Sequence, residues 1–149
     1  MQQLQTFEPK IIDKNGKKLI FDIIRKKYVA LKPEEWVRQN FINFMICTMN
    51  YPAGLIGVEK CVMVNGLRQR ADILLFNRRG EPVMIVECKA PHIEIGQETI
   101  EQAARYNMTL GVEYISITNG VVNYCVKLDK TGQNHKLLSE LPLPDDIIN

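Results

Sequence analysis

The sequence predicts an α/β sandwich of the α+β kind, with helices lying against a mixed sheet in the order helix, three strands, helix, two strands. Three observations predict it. The apolar runs LIGVEKCVMV, RADILLFN and PVMIVECKA follow one another with turn signals at Asn65-Gly66 and NRRGE, the pattern of an antiparallel meander. A segment of helical spacing lies on each side of that meander. The second of these leads into EYISITN, a strand that a helical crossover can deliver to the sheet in parallel.

Taken in order, IIDKNGKKLIFDIIRK reads as a small hairpin turning at Asn15-Gly16, so that residues 1–27 form an amino-terminal arm. KKYVALKP leads into the first helix. Pro33, Glu34 and Glu35 make a good first turn, and Trp36, Val37, Phe41, Phe44, Met45 and Met49 continue the pattern to about Asn50. Tyr51-Pro52-Ala53-Gly54 breaks it, and the three strands follow. Pro91 to Gly96 is a loop, and QETIEQAARYNMTLG is the second helix, ending near Gly111. EYISITN and VVNYCVKL are two short strands around Asn119-Gly120, closing a core of residues 28–130. Residues 131–149 are a tail in which LPLPDDIIN reads as irregular.

A chain of 149 residues is long enough for one ordinary domain with a real core, and 46% hydrophobic with 24% charged residues is a soluble globular composition. The net charge of +2 argues neither for nor against nucleic acid. Locally, Lys14, Lys17, Lys18, Arg25, Lys26 and Lys27 cluster early, and Arg68, Arg70, Arg78 and Arg79 flank one hairpin. Such groups are solvated loops or, beside a site, a rim that faces phosphate. Cys47, Cys61, Cys88 and Cys125 each sit in an apolar run with no CxxC pair, which reads as four reduced, packed thiols of a cytoplasmic protein. No secretory signal and no run of membrane-spanning length is visible, so no membrane partner is expected.

The strand VMIVECKAP ends in two opposite charges, and burying a charge is costly unless it is paired or holds a metal. Strand side chains alternate, so Asp72 shares a face with Leu74 and Phe76, and Glu87 and Lys89 share one with Val83 and Ile85. A hairpin loop of even length sets Phe76 opposite Val83 and Asp72 opposite Glu87; an odd loop without a bulge sends the carboxylates to opposite faces. Facing carboxylates repel, and become favourable when a divalent cation sits between them. Mg²⁺ or Mn²⁺ suits such oxygen ligands, and a lysine on the same face can hold the attacking water. The plainer alternative is a Lys89 ion pair to Asp72 or Glu87 at an exposed sheet end, worth little.

The spacing from Asp72 to Glu87-Cys88-Lys89, on a hairpin after a helix with an early glutamate, resembles the PD-(D/E)XK nuclease superfamily. The series PEEWVRQ, NYPAGLIGVEK, RADILLF, IVECKAP, QAARYN and TNG, from about Tyr28 to about Val126, resembles the amino-terminal nuclease domain of type I restriction enzyme R subunits. That resemblance implies a restriction-endonuclease-like mixed sheet and a metal-dependent DNA endonuclease that cuts with a Mg²⁺-activated water. It implies Asp72 and Glu87 as the metal-ligand acids and Lys89 as the motif lysine, with Ala71 where the superfamily name has proline. Gln102 and Tyr106, at i and i+4 on the second helix, match a Q-x-x-x-Y motif that organises the site or contacts DNA. The first-helix glutamate is Glu35 by an E-x-x-R likeness and Glu34 by the helical wheel, which sets Glu34 within the Val37, Phe41, Met45 stripe. Both glutamates stay open, because either can also serve the helix dipole, and Arg38 follows Glu34 at i+4 as an ordinary helix pair. Glu59 falls on the Asp72 face if the Asn65-Gly66 turn is even. DNA is the implied partner, along with a separate ATP-driven motor or methylation and specificity subunits, because the chain lacks a phosphate-binding G-x-x-x-x-G-K-[ST] loop. The competing expectation is a nuclease fold that binds nucleic acid or scaffolds a restriction or repair complex without cutting.

Overall fold

The computed structural model describes residues 1–149 except 6, 65, 108–110 and 132, and the side chains of 62, 64, 67, 69, 106 and 107 also lie outside the description. After a short β1 (Gln2–Gln3), β2 (Ile11–Lys14) and β3 (Lys17–Asp22) form the expected hairpin. Lys14 pairs with Lys17 across the two-residue turn, and Asn15 and Gly16 both have positive φ, 54° and 77°, the geometry that matches strand twist. The KKYVA segment is not a lead-in to the helix: it is β4 (Lys27–Ala30), which pairs with β3 and makes the arm a three-stranded sheet. Tyr28 opposite Phe21 supplies a ring pair at 5.2 Å, a cross-strand contact that a reading based on apolar runs overlooks.

Helix α1 (Pro33–Asn43) has Pro at its start and widens into a π-helical turn over Phe44–Thr48. Then come β5 (Ile56–Val64), β6 (Leu67–Phe76) and β7 (Pro82–Cys88), followed by α2 (Gln97–Asn107), β8 (Tyr114–Thr118) and β9 (Val122–Leu128). β8 joins β7 in parallel, as the crossover through α2 requires, while the other pairs of the main sheet are antiparallel. The sheet runs β1-β9-β8-β7-β6-β5, and β10 (His135–Leu138) adds to β9. The tail is not irregular. It supplies β10 and the short helix α3 (Pro144–Ile147), and Leu141, Ile147 and Ile148 are buried in the core because their apolar side chains cap the sheet's α1 face.

The core has two sides. Val37 and Phe41 of α1, with Met45 of the π-helical turn, meet Ile73, Leu75, Val86 and Cys88 on one face, and Ile100 and Ala104 of α2 meet Leu74, Ile85, Ile115 and Ile117 on the other. Each large side chain so buried contributes about 1.5–3 kcal/mol. α1 also touches β3, so it lies between two sheets, which is why polar Arg38, Gln39 and Asn40 are buried along with its apolar stripe. Of the four cysteines, Cys88 and Cys125 are packed, but Cys47 and Cys61 are exposed. Cys61 belongs to the part of β5 and β6 that runs on beyond their pairing with β7.

The turn between β8 and β9 is locked to α1. Gly120 has φ of +87°, and a Cβ there would stand 2.9 Å from Trp36 Cζ3. Gly120→Ala should therefore lower stability by about 2–4 kcal/mol from backbone strain and overlap together, read as a lower urea midpoint at unchanged slope.

Candidate active site

The site forms where β6 parts from β7. Ile73 to Leu75 pair with Val86 to Met84 in the register expected for an even loop, but a bulge between Leu75 and Phe76 sets Phe76 against Pro82 instead of Val83. Pairing of β6 with β7 stops at Ile73, whereas pairing with β5 continues to Leu67. At the parting the alternation breaks. Ala71 and Leu74, three residues apart, both lie in the cluster on the α2 face, which a regular strand forbids. On β5 the same level is held by Glu59, left-handed with φ of +50°; the pairing passes over Glu59 and Asp72 with its register unchanged, Val58 against Ile73 and Lys60 against Ala71. Asn65, expected to open the turn beyond, lies outside the described residues, and Gly66 has φ of +77°.

The twist re-aims Asp72. It does not stand flat opposite Glu87 on one face with Leu74 and Phe76, as expected; its carboxylate turns into the gap between the strands. There Oδ2 accepts the Cys88 N–H at 2.8 Å, and Oδ1 lies 3.5 Å from Arg38 Nη2. The physical reason is that β6 has left the ladder, so the Cys88 amide needs an acceptor. Glu87 and Lys89, with Ile85, point to the α2 side, and Lys89 Nζ is 2.7 Å from Glu87 Oε1. Val83 instead joins the α1 cluster. Asp72, Glu87 and Lys89 all line one open cleft of about 710 Å³, whose far wall is Thr99, Gln102 and Ala103 of α2. Gln102 is exposed there. Tyr106 lies on α2, but its side chain is outside the described residues.

The backbone that carries Lys89 is held by Thr118-Asn119-Gly120. The Lys89 N–H donates to Thr118 O at 2.8 Å, and Asn119 Nδ2 donates to Ile93 O at 2.9 Å. Asn119 Oδ1 in turn accepts the Val121 and Val122 N–H groups, so the loop after β7 is tied to the β8–β9 turn.

Behind Asp72 lies an ion network. Arg38, 4% exposed, reaches Glu35 at 2.7 Å, Glu59 at 3.1 Å and Asp72 at 3.5 Å; the first of these is an ionic contact without a straight hydrogen bond. Arg25, in the turn after β3, reaches Asp22 at 2.6 Å and both Glu35 and Glu59 at 3.1 Å. Glu35 is thus buried between two guanidiniums, while Glu34 is exposed, the reverse of the wheel's ranking. The wheel allowed for one apolar face, but the arm sheet covers the other flank of the first turn. Arg38 pairs with Glu35, not with Glu34. Arg25 and Asp22, themselves an i,i+3 pair, were missed as members of this network, because what ties them to Glu35 and Glu59 joins segments apart in sequence and leaves no local signal. Arg38 had a signal in its i,i+3 spacing from Glu35.

Charge is nearly balanced. Asp22, Glu35, Glu59, Asp72 and Glu87 meet Arg25, Arg38, Arg70 and Lys89, five against four. Burial works to raise the Glu59 carboxyl, but Arg38, then Arg25 and Arg70, hold it below its ordinary value. Burial likewise opposes ionisation of Asp22, and the N–H groups and guanidinium of Arg25, with the Ile24 N–H, hold it low. Burial first, and then the Asp72 charge, push the Cys88 thiol far up, so it is no nucleophile. Among the described residues no group of three or more His, Cys, Asp or Glu is placed to hold a metal ion. The metal donors that line the cleft are oxygens, the carboxylates of Asp72 and Glu87 first, with no thiolate or imidazole, while Arg70 and Lys89 balance their charge; oxygen donors of this kind suit an oxygen-seeking divalent cation.

Fold and site together define a restriction-nuclease-like domain. The chain belongs to the family described as type I restriction enzyme R protein N terminus (HSDR_N), which matches residues 33–142. No curated protein matches the sequence. A solved protein from Vibrio vulnificus YJ016, described as a fragment of an HsdR subunit of a type I restriction enzyme, is 22% identical over 99% of this chain, with a TM-score of 0.37. This chain spans 19% of that one's length. A protein from Anabaena variabilis ATCC 29413, described as a nuclease belonging to DUF820, is 12% identical over 95% of this chain and 86% of its own, with a TM-score of 0.45. Among the described residues no helix is long and apolar enough to cross a membrane.

The network has a pH signature. The folded carboxyls of Asp22 and Glu59 lie below their ordinary values of 3.8 and 4.5, so their contribution to stability is complete above about pH 4.5 and is lost as pH falls through the lower folded values. Arg25→Gln should lower stability near neutral pH and flatten its fall below pH 4.5, measured by urea unfolding across an acid series; an unchanged acid limb would mean that Arg25 does not hold these acids.

Proposed function

We propose that this chain is a metal-dependent DNA endonuclease module of type I restriction R-subunit kind. The observation that carries the reading is the meeting of Asp72, Glu87 and Lys89 at one open cleft where β6 leaves β7. Asp72 and Glu87 would hold Mg²⁺ or Mn²⁺, which when bound supplies a water of lowered pKa and offsets charge on the phosphate. Lys89, steadied by Glu87 and by its backbone bond to Thr118, is placed to hydrogen-bond the attacking water or a phosphate oxygen as charge develops. Gln102 presents an amide to a strand lying in the cleft, and the family resemblance assigns Tyr106 the same task. Glu35 acts through Arg38, fixing the guanidinium that reaches Asp72. Glu34, exposed at the start of α1, is left a helix-dipole role. DNA is the substrate, and a motor and methylation or specificity subunits are the partners. Four free cysteines fit a reducing cytoplasm.

A second reading, a nuclease fold that binds or scaffolds without cutting, draws on the engagement of Asp72 by Arg38 and the Cys88 amide. A cation must share that carboxylate with a guanidinium already beside it. Nicking of supercoiled plasmid with Mg²⁺ or Mn²⁺ separates the two. Wild type should nick, and Asp72→Ala and Lys89→Ala should each slow nicking by at least about a hundredfold. A wild type that binds Mn²⁺ in an Asp72-dependent way but leaves the plasmid intact would select the second reading.

A further inference from the structure

We infer that the outer face of the arm sheet β2-β3-β4 is a docking platform for the phosphate backbone of duplex DNA. The inference deepens the nuclease reading and rests on it for the identity of the polyanion. Residues 1–32 carry eight Lys and Arg against three acids, a balance of +5, while residues 33–149 carry eleven against fourteen, a balance of −3; together these make the chain's +2. The arm thus carries the positive field, and the part that bears the carboxylate cleft repels phosphate. The family match begins at residue 33, so the platform lies outside it.

The face is built for an anion. Pairing sets Lys14 directly opposite Lys17 and Ile12 opposite Leu19, and alternation puts Leu19 and Phe21 on the same side as Lys17. Like charges directly opposite are destabilising by themselves, and a polyanion relieves that cost. On the same face Lys10 Nζ stands 5.5 Å from the Phe21 ring centroid and 6.0 Å from that of Tyr28, so a half-exposed aromatic pair holds a third ammonium in place. The acid of this hairpin, Asp13, is opposite Lys18 and therefore on the other face, with Ile20 and the buried Asp22. The arm that carries the platform is also joined to the network behind the cleft: Arg25, from the turn that links β3 to β4, is 3.1 Å from Glu59, which Arg38 joins to Asp72. A duplex lying along the arm is led to that cluster.

The test is fluorescence anisotropy of a labelled duplex with the full chain in EDTA, over a salt series, so that cutting plays no part. Wild type is compared with the triple variant Lys10→Gln, Lys14→Gln, Lys17→Gln and with a control of equal charge, Lys127→Gln, Lys130→Gln, Lys136→Gln. The arm variant should bind about tenfold more weakly, and its slope of log affinity against log salt should be shallower by about 2.7, or 0.9 per lost phosphate contact. The control should keep the wild-type slope. Single Lys14→Gln and Lys17→Gln changes, each expected to lower the slope by about 0.9, serve if the triple variant melts early. Equal losses in arm and control variants, no DNA binding by wild type, or arm-dependent binding of phosphatidylserine vesicles in preference to DNA would each overturn the platform. A chain that binds DNA through the arm but fails to nick plasmid would overturn the nuclease reading and leave the platform standing.

Discussion

A guanidinium buried at Arg38 must be surrounded by carboxylates, and that requirement organises the molecule. Leaving such a charge without its partners costs about 3–5 kcal/mol, a large part of a domain's net stability. Its partners come from three separate elements: Glu35 from its own helix, Glu59 from β5 and Asp72 from β6. Those carboxylates exceed what one cation can satisfy, so a second, Arg25, is drawn in from the arm and brings Asp22 with it. Helix, hairpin and arm are therefore bound together by electrostatics at the place where the apolar core ends. The cleft acids stand at the solvent-facing end of this chain of alternating charge.

The backbone meets the same requirement by giving up regularity. A continuous ladder from β5 through β7 would leave Asp72 and Glu87 facing each other with nothing to offset them. Parting β6 from β7 at Ile73 and bending β5 at Glu59 opens a gap of the right polarity: a free amide at Cys88 on one side and Arg38 on the other. The strain of a left-handed Glu59, of order 1–3 kcal/mol, is offset by its ion pairs with Arg25 and Arg38. Glu87 stays on the regular part of β7, and Lys89, just past its end, is held by its N–H bond to Thr118 O, so their backbone is fixed while Asp72 takes the irregular position. One half of the site is rigid through the sheet, the other through the ion network.

This division also explains what could be read from sequence. β5 to β9 and the parallel crossover were legible, because their signals are local: apolar runs, tight turns and one helical period. The even register that brings Asp72 to the level of Glu87 was legible for the same reason. What failed was every feature that depends on a partner far along the chain. The exception is Lys27–Ala30, whose partner β3 is the strand just before it: the four residues KYVA hold no apolar run to signal a strand. LPLPDDIIN looked irregular although Ile147 and Ile148 are pinned under the sheet. Glu34 and Glu35 could not be ranked by a wheel, since burial at that turn is decided by the arm. Arg25 carries no signal until the fold sets it against Glu35.

The net charge of +2 hides the same division. Residues 33–149, which bear the carboxylate cleft, carry a balance of −3, and residues 1–32 carry +5. On the proposed reading the attraction for a polyanion belongs to the arm and the cation-holding acids to the rest. Within the arm, Lys14 and Lys17 stand opposite each other on the outer face, while Arg25 in the turn after β3 is in direct contact with the network. One sheet thus presents lysines outward and a guanidinium inward, toward the carboxylates. The arm is in that sense part of the site, joined to it by Arg25 and separated from it by the thickness of a sheet.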